Sequence, residues 1–479
     1  MHSFNTFDSS RFVKNGKRFA WLMVLACCLG MPTAFGQETD FSPYARYGFG
    51  TWQHAMTPGL AAMGGTTTVT GSSSLINPDQ PSSVAAVGNP TFQSSFYSQA
   101  IRLREGSAEA QATTGGLGNL GLIVKRPQRL SGFSLGLTPL TSKAFSVRRT
   151  TTDPLLGDVT EYYDGSGGMA RAYSGLARGW RLKQWRKAGA QDSVLITTHG
   201  MYVGAQFDYW FGDAIQTSFL DIEDVNYRDV RSQISNRHRS AGVTVGAETF
   251  HTLISRFKNK QFLGSLTLKT GVTWSPSRTL LTDYSEVTQS TVTVSGVVAP
   301  VDSSFSETSQ KQGEVPSKWS AGAGLIWNGK TGARWEMYVD HHRQAWSASA
   351  DTLAYLMDTQ SSWGDATRSA VGLAWTPGRK SGKVNRTTWR TGVNWSTLPV
   401  TLEGANGDAV PLNEWRVSMG FSTPLKGSRS ASQLHFGMDV GRRGTMDETM
   451  HEEFGARLHL GWSMTPFVKN LWLTPRLYD

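Results

Sequence analysis

Charged side chains recur on the polar side of segments in which apolar and polar residues alternate. Their cationic members could bind an anionic head group, or the charges could pair with one another and with a chain segment between them, as charges inside a barrel usually do. The seven positions are Lys269, Glu336, Asp340, Arg390, Arg416, Asp439 and Arg457. Arg46, near the start of the chain, has the same two interpretations.

Other polar motifs predict no catalytic or metal centre. His341 and His342 are adjacent, so on a strand they would face opposite sides and could not share one metal ion. Gly165–Gly168 resembles a phosphate-binding loop but lacks a following Lys-Ser/Thr. No Ser/His/Asp spacing identifies a hydrolase, although sequence separation alone leaves that open. We therefore expect no cofactor and no metal, and we expect that the protein is not an enzyme.

The N-terminus reads as an export signal. A positively charged stretch precedes the apolar residues Phe19–Met31, and Ala34-Phe35-Gly36 has the small-x-small form of a cleavage site. Residues 1–36 are therefore predicted to be a signal peptide. Cys27 and Cys28, the 2 cysteines of the sequence, would leave with it, so disulfides, zinc–thiolate sites and cysteine nucleophiles are excluded from the exported chain.

Composition narrows the fold class. With 17 Trp, 22 Phe and 13 Tyr the chain is too aromatic to be disordered, and no apolar run long enough for a membrane helix follows the N-terminus. The net charge of +10 is spread along the chain, so no basic block indicates nucleic acid as a partner.

A two-residue period dominates the rest of the sequence. In Phe262–Trp274 and Trp319–Trp327, apolar residues occupy every second position, and aromatic residues often end the apolar side. This pattern is typical of a transmembrane β-barrel with lipid outside and a polar lumen inside. A soluble sandwich would also alternate, but strands of about 11–14 residues exceed the usual length in such folds.

The predicted fold is all-β: an antiparallel transmembrane β-barrel of about 14 strands within residues 91–479. Short connections alternate with long ones, as in outer-membrane barrels. The long, extracellular loops are expected at 141–168, 213–237, 276–316 and 347–365. Whether Phe145–Thr152 or Ile215–Leu220 extends a strand stays open. An even strand count places both mature termini in the periplasm.

Residues 37–90 do not fit a strand. They are rich in Gly, Pro, Ser and Ala, yet they carry Phe41, Tyr44, Phe49 and Trp52, which are too apolar for a solvated tail. We predict that this segment folds back as a plug, or hatch, inside the barrel; the alternative is a disordered periplasmic tail. Asn77-Pro78 would fix a turn in it, because proline presets φ and asparagine bonds its own backbone.

Several motifs resemble one family. The chain looks like the Bacteroidota branch of the FadL-like outer-membrane proteins, the long-chain fatty-acid transporter family. The motifs that carry the resemblance are Ser42–Gly50, with Arg46; Ala62–Thr66, with Gly64 and Gly65; Ile76–Ser82, with the Asn77-Pro78 signature of the plug; Gly165–Gly168; Tyr209–Gly212; Gly441–Thr445; and Arg476–Asp479. Asp79 departs from the family, which usually has Ala there.

The resemblance implies a fourteen-stranded barrel, closed by a hatch, that carries hydrophobic small molecules across the outer membrane. Ligand would be captured among the outer loops and leave by hatch movement or through a gap in the wall. Gly132, Gly136 and Pro139 fall within one predicted strand, which suggests a kink and a lateral window, since proline donates no ladder hydrogen bond. Alternatively, Pro139 ends that strand at the rim.

The leading functional prediction is a channel for uptake or export of hydrophobic, fatty-acid-like or lipid-like molecules. One alternative is a structural or shuttle subunit of an outer-membrane protein complex such as secretion machinery, and a second is an aqueous porin. Expected partners are outer-membrane lipid, the hydrophobic ligand and an outer-membrane protein in the subunit alternative. The expected location is the bacterial outer membrane.

Overall fold

The strands of this chain close into one sheet. The computed structural model describes residues 42–54, 57–71, 75–105, 108–125, 129–154, 157–187, 193–222, 227–258, 261–294, 297–358, 361–378, 387–404, 407–425, 432–444 and 451–465. The predicted signal peptide, residues 1–36, and the closing motif Arg476–Asp479 lie outside the described residues.

Strands make up most of the described chain. They are β1 (Thr51–Trp52), β2 (Thr91–Glu105), β3 (Ala108–Val124), β4 (Ser131–Pro139), β5 (Thr141–Ser142), β6 (Phe145–Asp153), β7 (Gly157–Lys187), β8 (Ser193–Ile222), β9 (Asp229–Lys258), β10 (Gln261–Ser275), β11 (Arg278–Val294), β12 (Val297–Val315), β13 (Lys318–Gly329), β14 (Arg334–Gln344), β15 (Ser361–Trp363), β16 (Ala366–Thr376), β17 (Thr388–Glu403), β18 (Ala409–Pro424), β19 (Gln433–Arg443) and β20 (Glu452–Met464). Short helices are α1 (Pro58–Ala61), α2 (Ser83–Ala86) and the 3-10 turns Pro43–Arg46, Trp346–Ser349 and Asp351–Leu356.

The barrel is antiparallel and closes where β2 pairs with β20. Some wall strands are interrupted: β4 and β6 both pair with β7, and β10 and β11 both pair with β9. Pro276 separates β10 from β11, and Pro316 separates β12 from β13, because a proline donates no ladder hydrogen bond. With interrupted strands counted as one, the wall has 14 strands, which confirms the predicted fold class.

Apolar side chains face outward and polar ones inward. On β17, Trp389 and Trp395 are half exposed on the outer surface, whereas Arg390 between them is buried. Two rings of exposed tryptophan follow from the register. One contains Trp327, Trp335, Trp375 and Trp389, and the other contains Trp274, Trp319, Trp395 and Trp415. These rings mark the aromatic girdles of a membrane-spanning barrel.

The two ends of the barrel differ. At one end, called the turn end here, β2 begins and β20 finishes, and the connections 258–261 and 329–334 are short. At the other, called the hairpin end, β6 to β9, β11 and β12 continue as a tall sheet above the second tryptophan ring.

This sheet corrects part of the loop prediction. Residues 141–168, 213–237 and 276–316 were expected as loops, but most of them are paired strands. The alternation that reveals a membrane strand is weak in much of this sheet, because polar residues occupy both faces of its hairpins over long stretches and meet water; Ser303–Thr308 are exposed on both faces. In 347–365, the structure instead has 3-10 turns and the short β15.

None of the helices in the described residues is long and apolar enough to cross a membrane.

Candidate functional site in the barrel lumen

Residues 42–54, 57–71 and 75–90, called the N-terminal segment below, lie against the inner faces of strands from around the barrel. Contacts reach β3, β8, β10, β14, β17, β18 and β20. Leu60, Ala62 and Val69 are fully buried. A segment in contact with strands from around the barrel lies in the lumen.

The segment approaches the wall backbone to backbone at β17. Gly64 has a left-handed φ of +68°, and a Cβ there would lie 2.7 Å from the carbonyl oxygen of Val393. Gly392 lies opposite on the wall, and a Cβ added to Gly392 would lie 2.2 Å from the carbonyl carbon of Met63. Asn394 fixes the approach by donating its side-chain amide to the Gly64 carbonyl at 3.1 Å. Glycine is thus required on both surfaces.

Two predicted luminal charges anchor residues 66–70. Asp340 is 1% exposed, and its carboxylate accepts the backbone N–H groups of Thr67 at 2.5 Å and Thr68 at 2.6 Å. Lys269 donates its ammonium to the carbonyl of Val69 at 2.7 Å. These hydrogen bonds to charged groups are stronger than neutral ones, so this loop is tightly held.

Asn77 holds the turn that follows. Its amide nitrogen donates to the carbonyls of Thr67 at 2.6 Å and Thr70 at 3.0 Å, and its side-chain oxygen accepts the N–H of Asp79 at 3.1 Å. The last bond closes an Asx turn over Pro78. This is the structural role expected for Asn77-Pro78, and Gly65 lies in the adjoining buried stretch.

Asp79, the departure from the family pattern, has a partner of its own. Arg171 on β7 forms an ion pair with it at 2.9 Å. Burial alone would raise the pKa of the Asp79 carboxyl, but Arg171 outweighs burial and holds that pKa below its usual range. Sequence reasoning missed Arg171, because an ion pair between residues so far apart in the chain leaves no local pattern.

A second charged cluster lies on β18, β19 and β20. Arg416 bonds Asp439 at 2.7 Å and also Glu414, while His459 contacts Asp439 at 2.8 Å. Arg443 joins it by ion pairs to Glu414 at 2.7 Å and to Glu453 at 3.2 Å. The sequence pattern predicted Arg416 and Asp439 as luminal charges, but it did not predict the other members of this cluster.

Of the other predicted residues, Arg457 adjoins the second cluster, because it is directly opposite Asp439 on the neighbouring strand, whereas the rest lie apart from it. Arg457 donates to Gln99 at 2.9 Å, and Glu336 pairs with Arg334 at 2.7 Å. Arg390 donates to Ser422. Arg46, partly exposed, lies 3.4 Å from Asp358. The seven luminal charges thus form separate groups that bond neighbours or the N-terminal segment.

A cavity of about 130 Å³ remains beside the segment. Its lining combines aromatic side chains, prolines and a surplus of cations: Trp52, Trp210, Trp346, Pro78, Pro139, Arg171, Arg278, Lys318, Arg343 and Arg368, with Asp79 and Asp208 as acids. Burial, with Arg368 and Lys318 nearby, lowers the pKa of His54 in this lining to about 3, so its imidazole is neutral at physiological pH. The lining therefore combines apolar rings with more cationic than acidic side chains.

Aromatic packing covers the cavity toward the hairpin end. The rings of Trp346 and Trp363 stack at 5.1 Å, Phe49 lies 5.7 Å from Trp346, and Trp52 lies 5.4 Å from it. Lys143 supports this cover by donating to the carbonyls of Arg46 at 2.8 Å and Gly48 at 2.7 Å. The cover joins the N-terminal segment to residues 346–363.

The wall beside the cavity is incomplete. β4 pairs with β7 along its whole length but with β3 only from Phe133 to Leu137. Beyond Leu137, the described residues 108–119 of β3 pair with β2 alone, and β6 pairs with β7 alone. Thr138, Pro139 and Asn119, which flank this break, also line the cavity.

The predicted window residues lie on both sides of that boundary. Gly136 is opposite Gly121 on β3 and Tyr173 on β7, so the strand is paired on both sides there. Gly132 pairs with β7 and packs against Val84 of the N-terminal segment. Pro139 lies where pairing with β3 has ended. The break therefore lies closer to the hairpin end than Gly132 and Gly136 do.

Beyond the end of the β3–β4 pairing, the N-terminal segment pairs with the strand edge that β3 no longer covers. Thr51 and Trp52 of β1 pair with Ser142 and Thr141 of β5, and Gln53 donates its N–H to the Leu140 carbonyl at 2.9 Å. The segment thus borders the wall break and the cavity at once.

A closed antiparallel barrel with tryptophan girdles outside and a polar lumen defines an outer-membrane β-barrel protein. The sequence profile described as BamG matches residues 17–478, so the chain belongs to the BamG family. No curated protein matches the chain.

Similar solved structures include hydrocarbon transporters and a FadL homologue. The Ralstonia pickettii toluene transporter TbuX is 10% identical, with a TM-score of 0.48 over 86% of this chain and 99% of that one. The Pseudomonas putida toluene transporter TodX is 12% identical, with a TM-score of 0.46 over 85% and 98%. A Pseudomonas aeruginosa FadL homologue is 13% identical, with a TM-score of 0.46 over 88% and 99%.

These likenesses match the expected FadL-like resemblance, while the Bacteroidota branch stays a prediction. At such TM-scores they record similarity only, and the function has to be argued from the geometry of the lumen and wall.

Proposed function

We propose that this protein is an outer-membrane channel for hydrophobic small molecules that carry an anionic or polar group, such as fatty acids. The supporting observation is the break between β3 and β4 at Leu137, which lies beside the luminal cavity. A molecule in that cavity could enter the bilayer sideways without crossing the polar lumen from end to end. The N-terminal segment acts as the plug, with both termini in the periplasm.

The cavity chemistry supports an amphipathic cargo. Cations such as Arg171, Lys318 and Arg368 would hold a carboxylate or phosphate, while Trp52 and Trp210 would cover the first part of an apolar tail. Its volume fits only the polar end of a fatty acid, so the tail would point toward the break. A purely aqueous pore is disfavoured because the segment fills the lumen.

The contact between β1 and β5 would act as the gate. It places the plug on the free edge of the broken strand, so moving residues 51–53 widens the opening and uncovers the cavity. Main-chain hydrogen bonds of this kind contribute about 0.5–1.5 kcal/mol each, which thermal motion can overcome.

A disulfide across this contact tests the gate. Thr51 and Ser142 are directly opposite each other, as are Leu120 and Leu137 in the paired part of the wall. Opposite residues of antiparallel strands lie about 4.5–5.5 Å apart, within reach of a disulfide. We expect oxidised Thr51→Cys/Ser142→Cys to take up labelled oleate slowly in a host lacking its own fatty-acid channel, and reduction to restore uptake.

The control is Leu120→Cys/Leu137→Cys, whose disulfide joins strands that are already paired and should leave uptake unchanged. Equal uptake by the oxidised and reduced gate variant would disprove the gate. Absence of oleate uptake by the unmodified chain would disprove the channel itself. Rapid swelling of reconstituted liposomes in small sugars would favour the porin alternative.

The tall sheet at the hairpin end supports a second candidate, a subunit of an outer-membrane protein complex. Its outer strands β6 and β12 each pair on one side only within Phe145–Asp153 and Val297–Gly313, which leaves edges able to bind another chain. Purification in mild detergent tests this candidate: a stoichiometric protein partner supports it, and an isolated chain with bound fatty acid argues against it.

A further inference from the structure

The turn end carries a projection that the transport proposal does not use. β4 pairs with β7 only as far as Ser131 opposite Arg178, whereas the pairing of β7 with β8 continues to Lys187 opposite Ser193. Residues 181–186 are exposed on both faces. The β7–β8 hairpin therefore extends past its neighbour as a two-stranded ribbon.

This ribbon and the adjoining end of β9 are basic. Arg178, Arg181, Lys183 and Arg186 lie on β7, and Arg256 and Lys258 lie on β9. Between Arg178 and Tyr202 the sequence has one acid, Asp192, which lies between β7 and β8 in the chain. Trp180 and Leu182 are half exposed among these cations, and the guanidinium of Arg178 lies 5.5 Å from the centre of the Trp180 ring.

A groove on the outer wall begins at the same arginine. Its volume is about 580 Å³, and its lining is almost entirely apolar. Two rows of paired residues form it across β7, β8, β9 and β10. One row consists of Leu176, Ala205, Val245 and Trp274. The other consists of Arg178, Val203, Ala247 and Val272.

The groove has raised sides and a low floor. Leu176, Val272 and Trp274 are each more than half exposed and form the sides, whereas Ala205 and Ala247 are short and form the floor. It lies on the surface that carries the exposed apolar belt, so it faces lipid.

We propose that this groove and the basic ribbon form a binding site for a phospholipid with an anionic head group. One acyl chain lies in the groove over Ala205 and Ala247, and the lipid phosphate pairs with Arg178, which Trp180 supports. The acyl chain is held by its close van der Waals fit in the groove. Removal of apolar surface from water contributes nothing here, because the surrounding lipid is apolar as well. Cations and tryptophan at the edge of the bilayer supply the preference for anionic head groups.

A lipid explains these features better than a protein partner does. The groove is continuous with the lipid-facing belt, and the cations are at the end of it, where head groups lie. A docked protein would instead have to displace lipid from the apolar floor. The site is separate from the lumen, so it does not depend on the transport proposal.

Native mass spectrometry of the purified full chain tests the site. After delipidation, phosphatidylglycerol or phosphatidylcholine with the same acyl chains is added at equal concentration, and the bound fraction is measured. We expect phosphatidylglycerol to bind more tightly. Arg178→Gln should reduce its affinity about fivefold, because one cation near an anionic surface contributes about 1 kcal/mol. Ala247→Phe should weaken binding of both lipids by filling the floor.

Arg239→Gln is the matched control, since Arg239 is also an exposed arginine of this sheet but lies toward the hairpin end. Heat-dependent migration in gels verifies that each barrel is folded. Equal binding of the two lipids, or equal effects of Arg178→Gln and Arg239→Gln, would overturn the proposal. It would also be overturned if Arg178→Gln released a co-purifying protein while lipid binding stayed unchanged.

Discussion

Replacing Asp340 by alanine should loosen the N-terminal segment at one defined place. Its carboxylate accepts the N–H groups of Thr67 and Thr68 at 2.5 and 2.6 Å, and it is almost fully buried. Hydrogen bonds to a charged group contribute about 1.5–3 kcal/mol each, so the two together hold this loop by about 3–6 kcal/mol. Since 1.4 kcal/mol is tenfold, the loop should open roughly a hundredfold to ten-thousandfold more often.

Amide hydrogen exchange measures this opening directly. In Asp340→Ala, exchange of residues 66–70 should accelerate by that factor, while the wall strands keep their protection. Asp283→Ala is the control, because Asp283 is an exposed carboxylate that pairs with Arg239 on the outer sheet. If 66–70 exchanged equally slowly in both folded variants, Asp340 would not be an anchor, and Asn77 and Lys269 would have to hold the loop without it.

Two further substitutions examine the contacts between the segment and the wall. Gly64→Ala should lower the thermal stability of the folded barrel more than Gly332→Ala does: both glycines have positive φ, but a Cβ at Gly64 meets the Val393 carbonyl, whereas one at Gly332 has nothing within 4 Å. Equal shifts in the temperature of heat-dependent gel migration would contradict this contact. Arg416→Met should destabilise the barrel by about 3 kcal/mol in denaturant titration, the lower end for breaking a buried ion pair, because Asp439 and Glu414 lose the cation they share but keep His459 and Arg443. A loss no greater than that of the exposed Arg239→Met would contradict the cluster.

Much of the wall could be predicted from the sequence, for a physical reason. Within the bilayer each strand has one apolar and one polar face, so Trp389 and Trp395 alternate with Arg390 in the sequence as they do in space. Above the membrane that constraint disappears, and β11 and β12 looked like a loop. Alternation in the sequence indicates that the two faces of a strand meet different surroundings. It does not indicate whether a segment is hydrogen-bonded as a strand.

The lumen could be predicted only in part. Luminal charges such as Lys269 and Asp340 could be predicted because they occupy the polar positions of strands in which apolar and polar residues alternate. Their bonding was not, because a partner such as Arg171 for Asp79 depends on how the segment folds back across the barrel. The lateral window predicted from Gly132, Gly136 and Pro139 stays a prediction, and the place where β3 and β4 cease to pair depends on their register, which those residues do not encode.

The unequal anchoring of the N-terminal segment indicates which part of it can move. Residues 64–80 are held by buried charges and amides, among them Asp340, Lys269 and Asn77. β1, in contrast, is held by neutral contacts, namely main-chain hydrogen bonds to β5 and the packing of Trp52 on Trp210 and Trp346, and it borders both the wall break and the cavity. Because neutral hydrogen bonds are weaker than charge-assisted ones, β1 should separate first. Under the proposed function, a segment that opens there would release cargo sideways while the rest of the lumen stays filled, unlike a pore that must empty to conduct.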